Sequence, residues 1–303
     1  MPGNSWAHRI FFGSFLFFLA AYSIFLFGSN VDQLWVNPET AATRALTSVW
    51  EDDLSISNEF AGGFWKDVYF WKSLNLTLLV SVITTVLVTL AGVPAAYALS
   101  RFKIPARWAV EVLFSAIIVV PASSVGLCLI VMFNHGPLFA LQQWMGFRFV
   151  HSIFPGMVMA SAVLSFAFGV SAWKATFDSI NPRFGIVARS LGAGAWEAFR
   201  DVEFPLARNG IVAGIILAWA RTIAEFGAVL LFCGTFGELP RGRFSPLLQW
   251  LNLDQADWLP VAVWSQIEYG NVEYGFALAY VLVIIGGVCV YALHRLGGKG
   301  YIW

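Results

Sequence analysis

Two opposite charges stand four residues apart in one of the more apolar stretches of the chain. They are Arg221 and Glu225, within WARTIAEFGAVLLFCG (Trp219–Gly234). Counted from Gly210, where the apolar run begins, Arg221 lies about 16 Å along a helix. An unpaired charge near mid-bilayer costs about 3 kcal/mol or more, so the spacing predicts an ion pair. On an isolated helix the Arg-first order is the less favourable one, so helix stability alone does not account for it. The pair is either a structural tie between helices or a group on a translocation pathway or gate, together with the adjoining Phe226 and Gly227. Arg221 would attract a dianion, but Glu225 beside it largely cancels that charge. Weak, transient anion contact is the chemistry to expect, not a tight site.

A second stretch, Pro121-Ala122-Ser123-Ser124-Val125-Gly126, interrupts another apolar run. Pro121 removes a helix hydrogen bond and predicts a kink. Small residues permit close helix approach, and the hydroxyls of Ser123 and Ser124 can donate hydrogen bonds, to neighbouring helices or to an anion. Gly92-Val93-Pro94 is a similar break, and Gly210 with Gly214 makes a small-xxx-small pair.

A third stretch is charged, although apolar runs flank it on both sides. Asn181-Pro182 offers a capping side chain followed by Pro at the first helical position. Phe184, Val187, Ala188 and Leu191 then share one helix face, and Gly192 suits a helix-ending turn. Trp196, Phe199 and Val202 continue the apolar periodicity in a second short helix, which Phe204-Pro205 is expected to end. The whole of 182–205 is a helix, a glycine turn and a helix, apolar on one side and charged on the other. Glu197, Asp201 and Glu203 offset the bases, which favours a protein partner over anionic lipid.

These features need a frame, and composition supplies it. The chain has 303 residues, 58% hydrophobic and 12% charged. A soluble domain carries about twice that charged fraction. Net charge is zero, which points away from nucleic acid. The three cysteines, Cys128, Cys233 and Cys289, sit in or beside apolar runs with no CxxC and no metal-ligand spacing. No metal site is expected.

Six stretches have the roughly 20 apolar residues that a spanning helix needs: 10–28, 74–98, 109–133, 151–173, 210–233 and 270–292. The expected class is an all-α integral membrane protein. The organisation reads as a first helix in 1–29, kept and not cleaved, an outer loop over 30–73, a membrane core over 74–292 and a tail over 293–303. Lys and Arg crowd the flanks holding Arg9, Arg101, Lys103, Arg107, Lys174, Arg183, Arg189, Arg200, Arg208, Arg295 and Lys299. The positive-inside rule makes that side, and both termini, cytoplasmic. The outer loops are acidic and rich in Trp, including Trp35, Trp50, Trp65, Trp71, Trp250, Trp258 and Trp264. They form either an interfacial aromatic belt or a docking surface. Residues 239–257 are open to two readings, a re-entrant helix or a surface helix.

The 182–205 stretch resembles the signature of permease subunits of bacterial binding-protein-dependent ABC importers. That signature runs Glu-Ala-Ala, three residues, Gly, nine residues, an aliphatic, one residue, Leu-Pro. Ala188, Gly192, Val202 and Phe204-Pro205 match it, while Ile186 and Val187 stand where the family has Glu and Ala. AGVPAAYALSRF (Ala91–Phe102) and VVPASSVGLCLIVMFNHGPL (Val119–Leu138) are similar to further parts of these permeases. Ala220, Arg221, Glu225, Phe226, Gly227 and Ala228 resemble a run in the molybdate, tungstate and sulfate branch, with Thr222 replacing an Ala.

The resemblance implies a MetI-like permease core that works as half of a pore, as a homodimer in the inner membrane. It implies that Ala188, Leu191, Gly192, Trp196, Phe199, Val202, Phe204 and Pro205 couple to two cytoplasmic ATPase subunits. A substrate-binding protein is expected outside. The chain itself lacks G-x-x-x-x-G-K-[ST] and is expected to be no enzyme. No catalytic residue and no bound cofactor are expected in it, and the resemblance implies that ATP and Mg are used by the partner. Two rivals remain: an ATP-independent secondary transporter or channel working through Arg221 and Glu225, and a passive membrane scaffold.

Overall fold

The computed structural model describes residues 64–102, 107–135, 138–145, 149–150, 154–234 and 256–296. The expected first helix, most of the first outer loop, nearly all of 239–257 and the end of the tail lie outside the described residues. Every regular element described is helical. In chain order they are α1 (Val68–Arg101), α2 (Arg107–Val119), α3 (Ala122–Asn134), α4 (Leu138–Met145), α5 (Phe154–Ser179), α6 (Arg183–Ser190), α7 (Ala195–Ala198), α8 (Phe204–Ile223), α9 (Gly227–Cys233), α10 (Leu259–Glu268) and α11 (Val272–Leu296). A π-turn over Phe199–Glu203 joins α7 to α8.

Among the described residues four helices are long and apolar enough to cross a membrane. They are Val68–Arg101, Phe154–Ser179, Ala195–Ile223 and Val272–Arg295. A fifth crossing exists only if α2 and α3 count as one span, because they meet at 115°. The expected kink at Pro121 is therefore a sharp reversal. Val120, as the residue before proline, is pushed out of the helical region, and Pro121 itself is extended, with φ −53° and ψ 132°. The expected span 210–233 is also corrected. It starts earlier, at Phe204, and breaks at Ala224–Phe226 before α9 resumes.

Two units divide the chain. In the smaller, the turn Phe64–Lys66 and Gln266–Ala277 come together. Tyr274 is buried there, packs on the Phe64 ring and donates its hydroxyl to Asp67. In the larger, α1, α5 and α8 pack along one another in two apolar layers. One layer centres on Leu76, Val80, Met157, Leu164, Phe232 and Trp258. The other centres on Val88, Ala96, Val170, Trp173, Phe177 and Ile211.

Between the layers runs a belt of buried hydroxyls. Thr84 meets Ser161 at 3.3 Å, Ser165 meets Thr222 at 2.7 Å, and Trp219 Nε1 donates to Ser81 Oγ at 3.0 Å. Ser161 and Thr222 also bond back to a carbonyl four residues earlier in their own helix, as the neighbouring Thr85 does. A hydroxyl satisfied within its own helix costs little in an apolar medium and still lends a bond to a neighbour.

Trp173 fills the crossing of the three helices, fully buried. Three glycines make its slot, Gly92 on α1, Gly169 on α5 and Gly214 on α8. A methyl group added at any of them would collide with the indole. Of the small-xxx-small pair Gly210 and Gly214, the second receives a tryptophan.

Candidate functional site

The Arg221–Glu225 pair forms as the spacing predicted, with Nη1 and Oε2 2.7 Å apart. Its geometry differs from a pair on one continuous helix. Helix α8 ends at Ile223, Ala224 caps it, and Glu225 sits in the break. The objection to an Arg-first order therefore falls away. From Phe204, Arg221 lies about 26 Å along α8, not 16 Å, and so stands near its far end.

Glu225 is 1% exposed and serves three neighbours. Its Oε2 takes the ion pair with Arg221. Its Oε1 accepts the Ala228 amide at 2.9 Å, satisfying one of the orphan donors that open α9. Its backbone carbonyl accepts Trp258 Nε1 at 2.6 Å. The Arg221 guanidinium, half-buried, also lies over the Phe168 ring, 5.3 Å from its centroid. Here a carboxylate stabilises a helix start, neutralises a base and carries a tryptophan roof on its own backbone.

The two breaks meet. Gly227, the first residue of α9, lies so close to the Ser123 backbone nitrogen that an added methyl would be 3.0 Å away. Gly126 on α3 approaches the Ala228 backbone equally closely. The starts of α3 and α9 are thus side by side, with Ser123 exposed and Ser124 half-buried. Pro121, Ser123, Ser124, Arg221, Glu225, Phe226 and Gly227 form one neighbourhood, although they come from two separate stretches of sequence. Phe226 is half-buried, with its ring 6.4 Å from that of Trp264.

The 183–203 segment is a helix, a turn and a helix as expected. Asn181 Oδ1 accepts the Arg183 amide at 3.0 Å. Gly192 turns with φ +99° and has open space around it. Phe184, Ile186, Val187, Leu191 and Trp196 are all more than half exposed, Leu191 to 84%. Ala188 and Val202 are half-buried, and Phe199 is packed inward against Tyr97 on α1.

Two expectations about this segment are corrected. Phe204-Pro205 does not end the helix. The chain runs on from Ala195 to Ile223, because the π-turn absorbs the proline: the Phe204 amide bonds the Phe199 carbonyl five residues back. A wider turn removes the clash that Pro205 would make in a regular helix. Of the three acids expected to offset the bases, Glu197 and Asp201 are exposed and Glu203 is not. Glu197 accepts the Gly194 amide at 2.8 Å, Asp201 pairs with Arg200, and Glu203 is buried. Arg183, Arg189 and Arg208 are exposed as well, so the surface of the segment carries more bases than acids.

The structure does not bring the two expected sets together. They occupy opposite ends of the helix Ala195–Ile223, roughly 40 Å long. It adds residues that the sequence did not single out. Trp258, read as part of a Trp-rich outer surface, is fully buried against Glu225. Asp257, counted among the outer acids, accepts the Tyr69 hydroxyl at 2.7 Å. Glu203 and Arg101 form an ion pair at 3.4 Å under the 183–203 segment. No periodicity marks such residues, because each is defined by a partner far away in sequence.

The chain resembles known proteins over most of its length. A family described as binding-protein-dependent transport system inner membrane component matches residues 88–300. The molybdenum transport system permease protein of Azotobacter vinelandii is 36% identical over 170 residues, 56% of this chain and 75% of that protein. The corresponding permease of Escherichia coli K12 is 32% identical over 164 residues, 54% of this chain and 71% of that protein. A molybdate/tungstate transport system permease of Thermococcus kodakarensis is 33% identical over 165 residues, 54% of this chain and 62% of that protein. Among solved structures, a bacterial ABC transporter involved in the import of alginate aligns with a TM-score of 0.62 at 14% identity, over 95% of both chains. At that identity the likeness is one of fold. With a family match over more than two thirds of its length, this chain is a member of the binding-protein-dependent transport system inner membrane components, multi-pass permeases of ABC importers.

Proposed function

We propose that the chain is the pore subunit of a molybdate importer, with tungstate and sulfate as the next candidate substrates, driven by ATP hydrolysis on separate ATPase subunits. The observation that carries the substrate is kinship with permeases named for molybdenum or molybdate/tungstate in three organisms. Two copies form the pathway, and a substrate-binding protein delivers the oxyanion from outside. The segment 183–203 faces the cytoplasm, in keeping with the Lys and Arg bias, and its exposed Phe184, Leu191 and Trp196 enter a groove of the ATPase. Because exposed bases outnumber exposed acids on this segment, the ATPase groove is expected to be apolar with an acidic rim.

At the other end, the breaks at Pro121 and Glu225 line the route. Two helix starts carry partial positive charge, Ser123 offers a hydroxyl, and Arg221 is held ready but neutralised by Glu225. This arrangement suits brief contact with a dianion that must leave again. Specificity then rests with the binding protein, not the pore.

The test is uptake of labelled molybdate by cells expressing the chain with its ATPase and binding protein, with unlabelled tungstate and sulfate as competitors. ATP-dependent uptake that tungstate blocks and sulfate does not is the expected result. Uptake indifferent to ATP depletion would favour a secondary transporter working through Arg221 and Glu225. Sulfate accumulation without molybdate uptake would keep the mechanism and change the cargo.

A further inference from the structure

The most unusual charge among the described residues is neither in the pair at Glu225 nor on the surface. Glu203 is 3% exposed and lies inside the π-turn. Its Oε1 is 3.4 Å from Arg101 Nε, and Arg101 is the last residue of α1. Arg101 Nη2 in turn donates to the Ile180 carbonyl at 3.1 Å, in the link between α5 and α6. Gly185, in the middle of α6, lies directly on the Glu203 carboxylate, and a side chain there would strike it. Four elements therefore converge on one carboxylate: the end of α1, the α5–α6 link, α6 and the π-turn leading into α8.

A second contact runs parallel to the first. Phe199, four residues before Glu203, packs edge-on against Tyr97, four residues before Arg101, with ring centroids 4.6 Å apart. Two positions of the π-turn are thus matched to two positions of α1, one apolar pair and one ionic pair, in a fixed register. An ion pair this well enclosed is a poor source of stability, since desolvation offsets most of its attraction. It is a good source of geometric definition, because separating the two elements would leave each buried charge without its opposite.

We propose that Glu203 is a positioning residue for energy coupling, locking the 183–203 segment to the end of α1 through Arg101 so that movement imposed on the segment is passed to α1 and α8 as one body. Without the lock, the segment docks on its ATPase but rocks independently of the helices that must move. This inference rests on the reading of 183–203 as the ATPase contact. The π-turn has a part in it as well. By admitting an extra residue per turn, it leaves Glu203 on the inward side and accommodates Pro205 two residues later.

The test uses the complete complex of this chain, its ATPase and its loaded binding protein, isolated as the assembled fraction and reconstituted in vesicles. The readout is labelled molybdate imported per ATP hydrolysed. Glu203→Gln is expected to keep ATP hydrolysis while import per ATP falls roughly tenfold, the scale expected when a coupling contact is lost. The exchange Arg101→Glu with Glu203→Arg is expected to restore part of it. Glu203→Asp, one methylene shorter, should give an intermediate loss. An unchanged ratio in Glu203→Gln or Glu203→Asp overturns the proposal. So does loss of the assembled complex in both single variants, which would make the pair a folding contact. Absence of ATP-dependent import in the unaltered complex would instead sink the functional reading itself, a separate and recognisable result.

Discussion

Trp173 Nε1 donates a 3.0 Å hydrogen bond to the carbonyl of Ile211, on the neighbouring helix. That bond holds the indole in a slot made from three glycines on three helices. The result is a crossing where backbones approach closely around a large ring. It lies between the two ends of the molecule where function is placed, so its rigidity matters for both.

Gly214→Ala is expected to destabilise the protein by about 1–3 kcal/mol, since the added methyl has no space and the surrounding helices cannot all retreat. The measurement is the unfolding midpoint of the purified protein in detergent. Trp173→Phe, introduced together with Gly214→Ala, should recover part of the loss by emptying the side of the slot that the methyl needs. A midpoint unmoved by Gly214→Ala would show that the crossing relaxes freely.

Glu225→Gln leaves an acceptor for the Ala228 amide but removes the charge that balances Arg221. Import is expected to fall at least tenfold, while the amount of inserted chain and its association with the ATPase stay close to normal. Labelled-anion uptake by cells with matched membrane levels is the check. Uptake equal to that of the parent would take the pair off the pathway.

Gly192→Glu forces a side chain into a left-handed turn at φ +99°, a strain of roughly 1–2 kcal/mol for a non-glycine residue. Nothing lies within 4 Å of an added Cβ, so the cost is in the backbone and the α6–α7 turn reshapes. The expected outcome is a chain that inserts normally but no longer stimulates its ATPase. Normal uptake by this variant would show that the segment is not the coupling element.

Leu191→Ala and Trp196→Ala remove the two most exposed apolar groups of the α6–α7 turn. Each is expected to weaken co-purification of the ATPase without shifting the unfolding midpoint, because a side chain already in solvent contributes little to the fold. A large drop in midpoint, or undiminished co-purification, would contradict the assignment of this face.

The sequence made the membrane class, the broad positions of four long helices and the helix–turn–helix over 182–205 legible. All of these are local signals: long apolar runs, a 3.6-residue period, a glycine in a turn. The Arg221–Glu225 pair was also legible, because four-residue spacing brings side chains together in most helical geometries. The break between them was not, since Ala224 and Glu225 are good helix formers. Only the Trp258 bond to the Glu225 carbonyl and the Ala228 amide on the Glu225 carboxylate explain why the helix stops there. Proline misled twice in opposite directions. At Pro121 the chain reverses through 115° where a kink was expected, and at Pro205 the helix carries on through a π-turn where an end was expected. The ring removes one hydrogen bond in each case; what the chain then does is set by its neighbours. Glu203 looked like surface charge because its acidic neighbours are, and its distant partner Arg101 cannot be inferred from spacing.

The two short helices that begin at Ala122 and Gly227 have a bearing on how the protein is made. At 13 and 7 residues they reach about 20 Å and about 10 Å, well short of a bilayer's hydrocarbon thickness. Neither can settle in lipid alone, since the backbone groups at its start would lack partners there. Each packs its start against the other, where Gly227 lies against Ser123 and Gly126 against Ala228. About a hundred residues of sequence separate them, so this contact forms only after both have been synthesised.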